Sequence, residues 1–155
     1  MNIVKAECKD FETVKDITCR TINAIYPKYY PLGAVDFFLK HHSDENIMED
    51  ISCGRTFLCV DENGCAAGTV SVKENDIGRL FVLPEFQGQG CGRLLLDFAE
   101  DMIRQNFDEI VLDASLAAKA IYLKRGYREF HYQVIKTDNG DFLCFDIMRK
   151  KVKDR

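Results

Sequence analysis

Three glycines at alternate positions, Gly88, Gly90 and Gly92, constrain this chain more than any other feature. They follow a short apolar run, Leu80-Phe-Val-Leu83, and a corner at Pro84. They precede Arg93-Leu-Leu-Leu96, the start of an amphipathic segment. The order is strand, corner, glycine loop, helix. Glycines strip the loop of side chains where the helix begins, so bare N–H groups can crowd round an anion. The helix N-terminus adds partial positive charge. Gln87, Gly90 and Gly92 fit the pattern Gln/Arg-x-x-Gly-x-Gly/Ala, and a pyrophosphate suits such a loop. Lys-Ser/Thr does not follow, so this is not the phosphate loop of the NTPases. Arg93 stands where a dinucleotide fingerprint needs its last Gly. A plain turn from strand to helix is the remaining reading of the glycines alone.

The rest of the chain alternates in kind. Strand patterns cover residues 3–7, 56–61, 65–73, 77–83, 109–114, 128–136 and 141–148. Helical spacing covers 10–25, 34–41, 44–51 and 90–105, and a further helix runs to Lys124 with Ser115 as its cap. Glu62-Asn63-Gly64 and Asp138-Asn139-Gly140 read as hairpin turns. The expected fold is α/β, a single domain over 1–155, with a mixed sheet of about seven strands flanked by about four helices.

These motifs resemble the GNAT acetyltransferases, a family that moves acetyl groups from acetyl-coenzyme A to amines. The resemblance rests on Val82-Leu83-Pro84, the glycine loop, the strand Ile110 to Ala114, and the later series Ala118, Tyr122 and Gly126-Tyr127. It covers roughly residues 56 to 149. It implies that the backbone of Phe81 and Val82 lines the pantetheine arm, and that an N–H near Val82 acts as an oxyanion donor. The backbone of Gln87, Gly88, Gln89, Gly90, Cys91, Gly92 and Arg93 would hold the pyrophosphate. Ser115 stands where many relatives carry Asn and can touch the pantetheine or cap the helix. Tyr122 is placed as the general acid for the leaving thiolate, or as a helix residue packed on the sheet. Glu74 and Asp76 precede the coenzyme strand and are the acids nearest the place of a base. Tyr26, Tyr29 and Tyr30 can wall an amine pocket by cation–π contact, or pack a helix corner.

Composition limits the classes. Seven cysteines occur with no C-x-x-C spacing, which predicts neither a zinc site nor a disulfide framework. Cys91 at a helix start is either a thiol of depressed pKa or a small residue filling the loop. Net charge is −4 and the cations are dispersed, so no nucleic-acid face is expected. No apolar run approaches the ~20 residues of a membrane span. The expected protein is soluble and cytoplasmic and needs no metal. Acetyl-coenzyme A is the expected co-substrate, and the expected acceptor is an amine-bearing small molecule, polyamine or peptide. Residues 1–52 carry nine acids against six Lys and Arg, which mildly favours a cationic acceptor. Apolar end strands such as Phe142-Leu-Cys-Phe145 leave a homodimer open. A non-catalytic acyl-coenzyme A sensor is the alternative function, and a phosphate-binding interaction domain is a third.

Overall fold

The computed structural model describes residues 1–152. Seven strands form one sheet: β1 (Asn2–Lys5), β2 (Thr56–Val60), β3 (Ala66–Lys73), β4 (Asp76–Val82), β5 (Glu109–Ala114), β6 (Arg128–Lys136) and β7 (Phe142–Lys151). The spatial order is β1-β2-β3-β4-β5-β7-β6. Only β4 and β5 run parallel; the remaining pairs are antiparallel. Four helices of nine residues or more flank the sheet: α1 (Phe11–Ile25), α2 (Leu32–His41), α3 (Asp44–Ser52) and α4 (Cys91–Arg104). A fifth, α5 (Lys119–Lys124), has six residues.

Each face of the sheet buries its own core. On one face α4 presents Leu95, Ala99 and Ile103, one helical turn apart, together with Leu96. They pack on Phe57, Val70, Ile77, Ile110 and Leu112. On the other face Val14, Ile17 and Ile22 of α1 and Ile47 and Ile51 of α3 pack against Leu58, Phe81, Leu83 and Leu143. Burying each such side chain contributes about 1.5–3 kcal/mol. Helix α4 approaches β3 so closely that a Cβ at Gly68 would lie 2.9 Å from the Cys91 Sγ and 2.8 Å from the Phe81 carbonyl oxygen. No larger residue fits there without moving α4.

Two buried charge clusters tie the layers together. Arg79 on β4 donates to the Asp50 carboxylate at 2.9 Å, joining α3 to the sheet. Glu100 on α4 accepts from Arg125 Nε (3.1 Å), the Tyr127 hydroxyl (3.1 Å) and Lys150 Nζ (2.9 Å). Burial raises the Glu100 pKa, but Arg125 and Lys150 outweigh it and hold the carboxyl below its usual range. This cluster anchors the end of α5, and with it the helix that carries Tyr122.

Candidate active site

The sheet is split at its centre. β4 and β5 pair only at Asp76↔Val111 and Ile77↔Leu112. Beyond these, β4 bends away because it carries an extra residue. Thr69 to Ser71 on β3 lies opposite Phe81 to Gly78, so three steps on β4 face two on β3. Arg79 takes φ 43° in this bulge. An inserted residue kinks the strand and raises its twist. The gap between β4 and β5 opens into a cleft of about 620 Å³. Its walls include Leu80, Phe81 and Val82 of β4, the glycine loop, and Ser115, Ala118 and Tyr122.

Past Ile77, the cleft side of β4 has no strand paired to it. Leu83 N–H donates to the Ala67 carbonyl on β3. By alternation along the strand, the amide groups of Val82 face the other way, into the split. The Val82 carbonyl confirms the direction, since it accepts from Gln87 Nε2 at 2.9 Å and the Thr21 hydroxyl at 3.3 Å. The Val82 N–H points into the same gap, where no β5 partner reaches it.

The loop is shaped as an anion cradle. Gly88 and Gly90 have φ of 75° and 90°, and a Cβ built on either meets nothing within 4 Å. Gly88, Gly90, Gly92 and the Gln87 and Arg93 side chains line the cleft. Gln87 bonds the end of β4, and Gln89 Nε2 donates to the Glu85 carbonyl at 2.9 Å. Gln89 is not on the cleft wall, so its side chain braces the loop from outside. Cys91 turns inward and is buried. Burial and the neighbouring Cys59 push its pKa up. The depressed thiol weighed for this helix start is therefore incorrect: the helix dipole loses to desolvation, and Cys91 is a core residue.

Tyr122 lies on the cleft wall, 6% exposed, with its ring edge-on to Tyr127 at 5.7 Å. Burial and the nearby Tyr26 phenol push its pKa up, so it stays protonated at neutral pH. Ser115 also lines the cleft, and its hydroxyl partly offsets the burial that raises the Tyr26 pKa. It does not cap α5 with its hydroxyl, as the sequence suggested. The helix begins four residues later, and the Ser115 carbonyl accepts from the N–H groups of Ala118 and Lys119.

The three tyrosines divide between cleft, core and surface. Tyr26 lines the cleft, stacked edge-on against Phe38 at 4.6 Å. Tyr30 is buried away from it. Its hydroxyl accepts from Leu116 N–H at 2.8 Å and donates to the Cys144 carbonyl at 3.1 Å, stapling the loop after β5 to β7. Tyr29 is half exposed and lies outside the cleft wall. The expected aromatic wall is thus reduced to Tyr26: its ring stays in contact with that of Tyr30 at 5.6 Å, with Phe38 against both, so Tyr30 packs the helix corner while Tyr29 turns outward.

The two acids also separate. Glu74 sits in the β3–β4 turn with φ 55° and lines neither opening. It is a turn residue, and its place as a base is not supported. Asp76 lines a second recess of about 310 Å³, absent from the sequence reading. This recess lies under α2 and α3, with His41, His42, Asp50, Ser71, Lys73 and Arg79 among its walls. Burial and Asp113 raise the Asp76 pKa to about 6. Burial lowers that of His42 to about 3, with Arg79 adding to the effect, so the imidazole is neutral. Among the described residues no group of three or more His, Cys, Asp or Glu side chains is placed to hold a metal. No helix among them is long and apolar enough to cross a membrane.

The profile of the acetyltransferase (GNAT) domain matches residues 25–149. The chain belongs to the GNAT family. An uncharacterized N-acetyltransferase of Chlorobaculum tepidum is 35% identical over 92 residues, covering 56% of this chain and 57% of that relative's length. Among solved structures, the GCN5-related N-acetyltransferase of Rhodopseudomonas palustris superposes with a TM-score of 0.87 at 20% identity, over 97% of this chain and 95% of the other. The PaiA N-acetyltransferase of Thermoplasma acidophilum, in complex with coenzyme A, gives 0.71 at 20% identity over 97% and 98%. At these identities the structural likeness speaks for the fold alone. The GNAT cleft of this chain fits acetyl-coenzyme A on its own geometry: an open cradle at Gly88 and Gly90, free strand amides, and a protonated phenol in one groove.

Proposed function

We propose that the chain transfers the acetyl group of acetyl-coenzyme A to a primary amine by direct attack. The observation that carries this reading is the convergence of the split strand, the bare glycine loop and the neutral Tyr122 phenol on one cleft. The loop amides and the α4 N-terminus would hold the pyrophosphate. The Val82 N–H would stabilise the oxyanion that develops on the acetyl carbonyl. The amine nitrogen forms the new N–C bond as the C–S bond breaks. The proton the nitrogen sheds would pass through a water relay to Asp76 in the neighbouring recess, and Tyr122 delivers one to the leaving thiolate. Asp76 suits this role because a carboxyl with pKa about 6 is ionised at neutral pH and more basic than a solvated aspartate.

Two measurements test the reading. Titration with acetyl-coenzyme A should show binding, and thiol release should follow on addition of an acceptor from an amine panel. Binding without thiol release for any amine would identify an acyl-coenzyme A sensor instead. The acid limb of the pH–kcat profile should inflect near pH 6 and disappear in Asp76→Asn. The same substitution should not lower stability at pH 7. A raised carboxyl pKa means the charged form is disfavoured in the fold, so stability is lost as pH rises from the ordinary aspartate range through about 6.

A second copy of the chain is the proposed partner at β6. This strand is an edge of the sheet, and Phe130, Tyr132 and Val134 are each more than half exposed along it. Open apolar edges favour pairing. Light scattering should give twice the chain mass, and a Tyr132→Lys variant should give the monomer. A wild-type monomer would refute the pairing.

A further inference from the structure

Helix α5 carries Tyr122 but is weakly held by its own packing. It has six residues, too few for a helix to persist on its own terms, and Tyr122 is its one buried side chain. The flanking Ile121 and Leu123 are 56% and 46% exposed. Ties at its two ends hold it instead. At the rear, Arg125 donates to Asp97 at 2.8 Å and to Glu100 at 3.1 Å, both on α4. At the front the tie is Tyr30. The Leu116 N–H, one residue past Ser115, donates to the Tyr30 hydroxyl at 2.8 Å. That hydroxyl in turn donates to the Cys144 carbonyl of β7 at 3.1 Å.

Tyr30 is suited to two bonds at once. It is buried, and burial pushes its pKa up to about 12, so the intact hydroxyl accepts one bond while donating another. Its ring packs against Tyr26 at 5.6 Å and Phe38 at 5.2 Å, which fixes where the hydroxyl points. The segment it grips forms part of the cleft wall through Ser115, Ala117 and Ala118. Hydrogen bonds then run along that segment. The Ser115 carbonyl accepts from Ala118 and Lys119, and the Ala118 carbonyl accepts from Ile121 and from Tyr122 at 3.3 Å. The place of Leu116 is thus handed on, turn by turn, to Tyr122.

We infer that Tyr30 is a positioning residue for the general acid: its hydroxyl sets where the Tyr122 phenol stands against the leaving sulfur. The inference rests on the acetyl-transfer reading, with Tyr122 as its proton donor. Tyr30 does not line the cleft, so it acts only through the segment from Leu116 to Tyr122. A misplacement of about 1 Å in a catalytic group can cost on the order of 10²-fold in rate. The coenzyme is held mainly by the glycine loop and β4, which Tyr30 does not touch. The loss should therefore fall on kcat and spare coenzyme affinity.

The test is a double-mutant cycle on Tyr30→Phe and Tyr122→Phe, read by thiol release with the best acceptor of an amine panel. Tyr30→Phe keeps the ring and its contacts with Tyr26 and Phe38. Its kcat should fall about tenfold or more, while the calorimetric Kd for acetyl-coenzyme A moves by less than about threefold. In the Tyr122→Phe background the same substitution should cost less than about twofold, since the hydroxyl being positioned is already gone. Leu116→Pro breaks the same bond from the other side, at the first position of a turn, where proline is accepted. It should give the same two results, and it stands in if Tyr30→Phe does not fold. A residue that only stabilised the fold would lower both backgrounds by one factor. That outcome, or wild-type kcat in Tyr30→Phe, would overturn the inference and leave the acetyl-transfer reading standing. Wild-type turnover in Tyr122→Phe, or no turnover of any amine by the unmodified chain, would overturn the inference together with the reading beneath it.

Discussion

Replacing Tyr122 by phenylalanine lowers turnover by roughly 10²–10⁴-fold, the range for general acid–base catalysis. The substitution removes a single oxygen. The ring keeps its edge-on contact with Tyr127 and its place on the buried wall, so the fold and acetyl-coenzyme A affinity should hold. The Tyr122 phenol enters the step as a donor because it is protonated at neutral pH, and burial makes it a weaker acid than a solvated tyrosine. Among the described residues Tyr26 is the other phenol lining the cleft, packed against Tyr30 and Phe38. Tyr26→Phe is thus the control, with a smaller expected loss. Wild-type turnover of Tyr122→Phe on a good acceptor would make Tyr122 a packing residue, with water protonating the thiolate.

The parts of the site that the sequence makes legible are local. The glycine loop, its strand and its helix occupy one continuous run, so spacing alone places them. Tyr122 came from the family resemblance, which puts a tyrosine shortly before the Gly126-Tyr127 pair. The recess is different. His42 after α2, Asp50 on α3, Ser71 and Lys73 on β3 and Arg79 on β4 meet only when α3 docks on β4 through the Arg79–Asp50 pair, 29 residues apart. One local signal did point there. Gly78-Arg79 interrupts the apolar run of β4, and a glycine beside a charge inside a strand is the mark of a bulge. The tyrosine cluster misled for the opposite reason. Neighbours in sequence share a surface in a regular element, but Tyr26 to Tyr30 span a 3-10 turn and an irregular step. Cys91 shows the limit of position-based pKa reasoning. Being at a helix start says nothing about which way the thiol faces, and Gly68 on the opposing strand lets it pack inward.

Gly92→Val should weaken coenzyme A binding by on the order of 10²-fold or more, the loss of two charge-assisted hydrogen bonds at about 1.5 kcal/mol each. The position is chosen to separate blocking from misfolding. At Gly90 any side chain is strained, because φ is 90°, so lost binding there would have two causes. Gly92 lies inside α4 without a positive φ, and an added Cβ meets only Val82 Cγ2 at 3.6 Å, an ordinary contact. Valine is therefore accepted by the backbone while its methyl groups enter the cleft beside the amides of the first turn. The melting temperature should change little, and calorimetry with coenzyme A should show the loss. A folded Gly92→Val protein with undiminished affinity would move the pyrophosphate away from this loop. The three glycines would then be a bare connection between β4 and α4, and the anion would have to be held by the exposed Arg93 side chain and its neighbours instead.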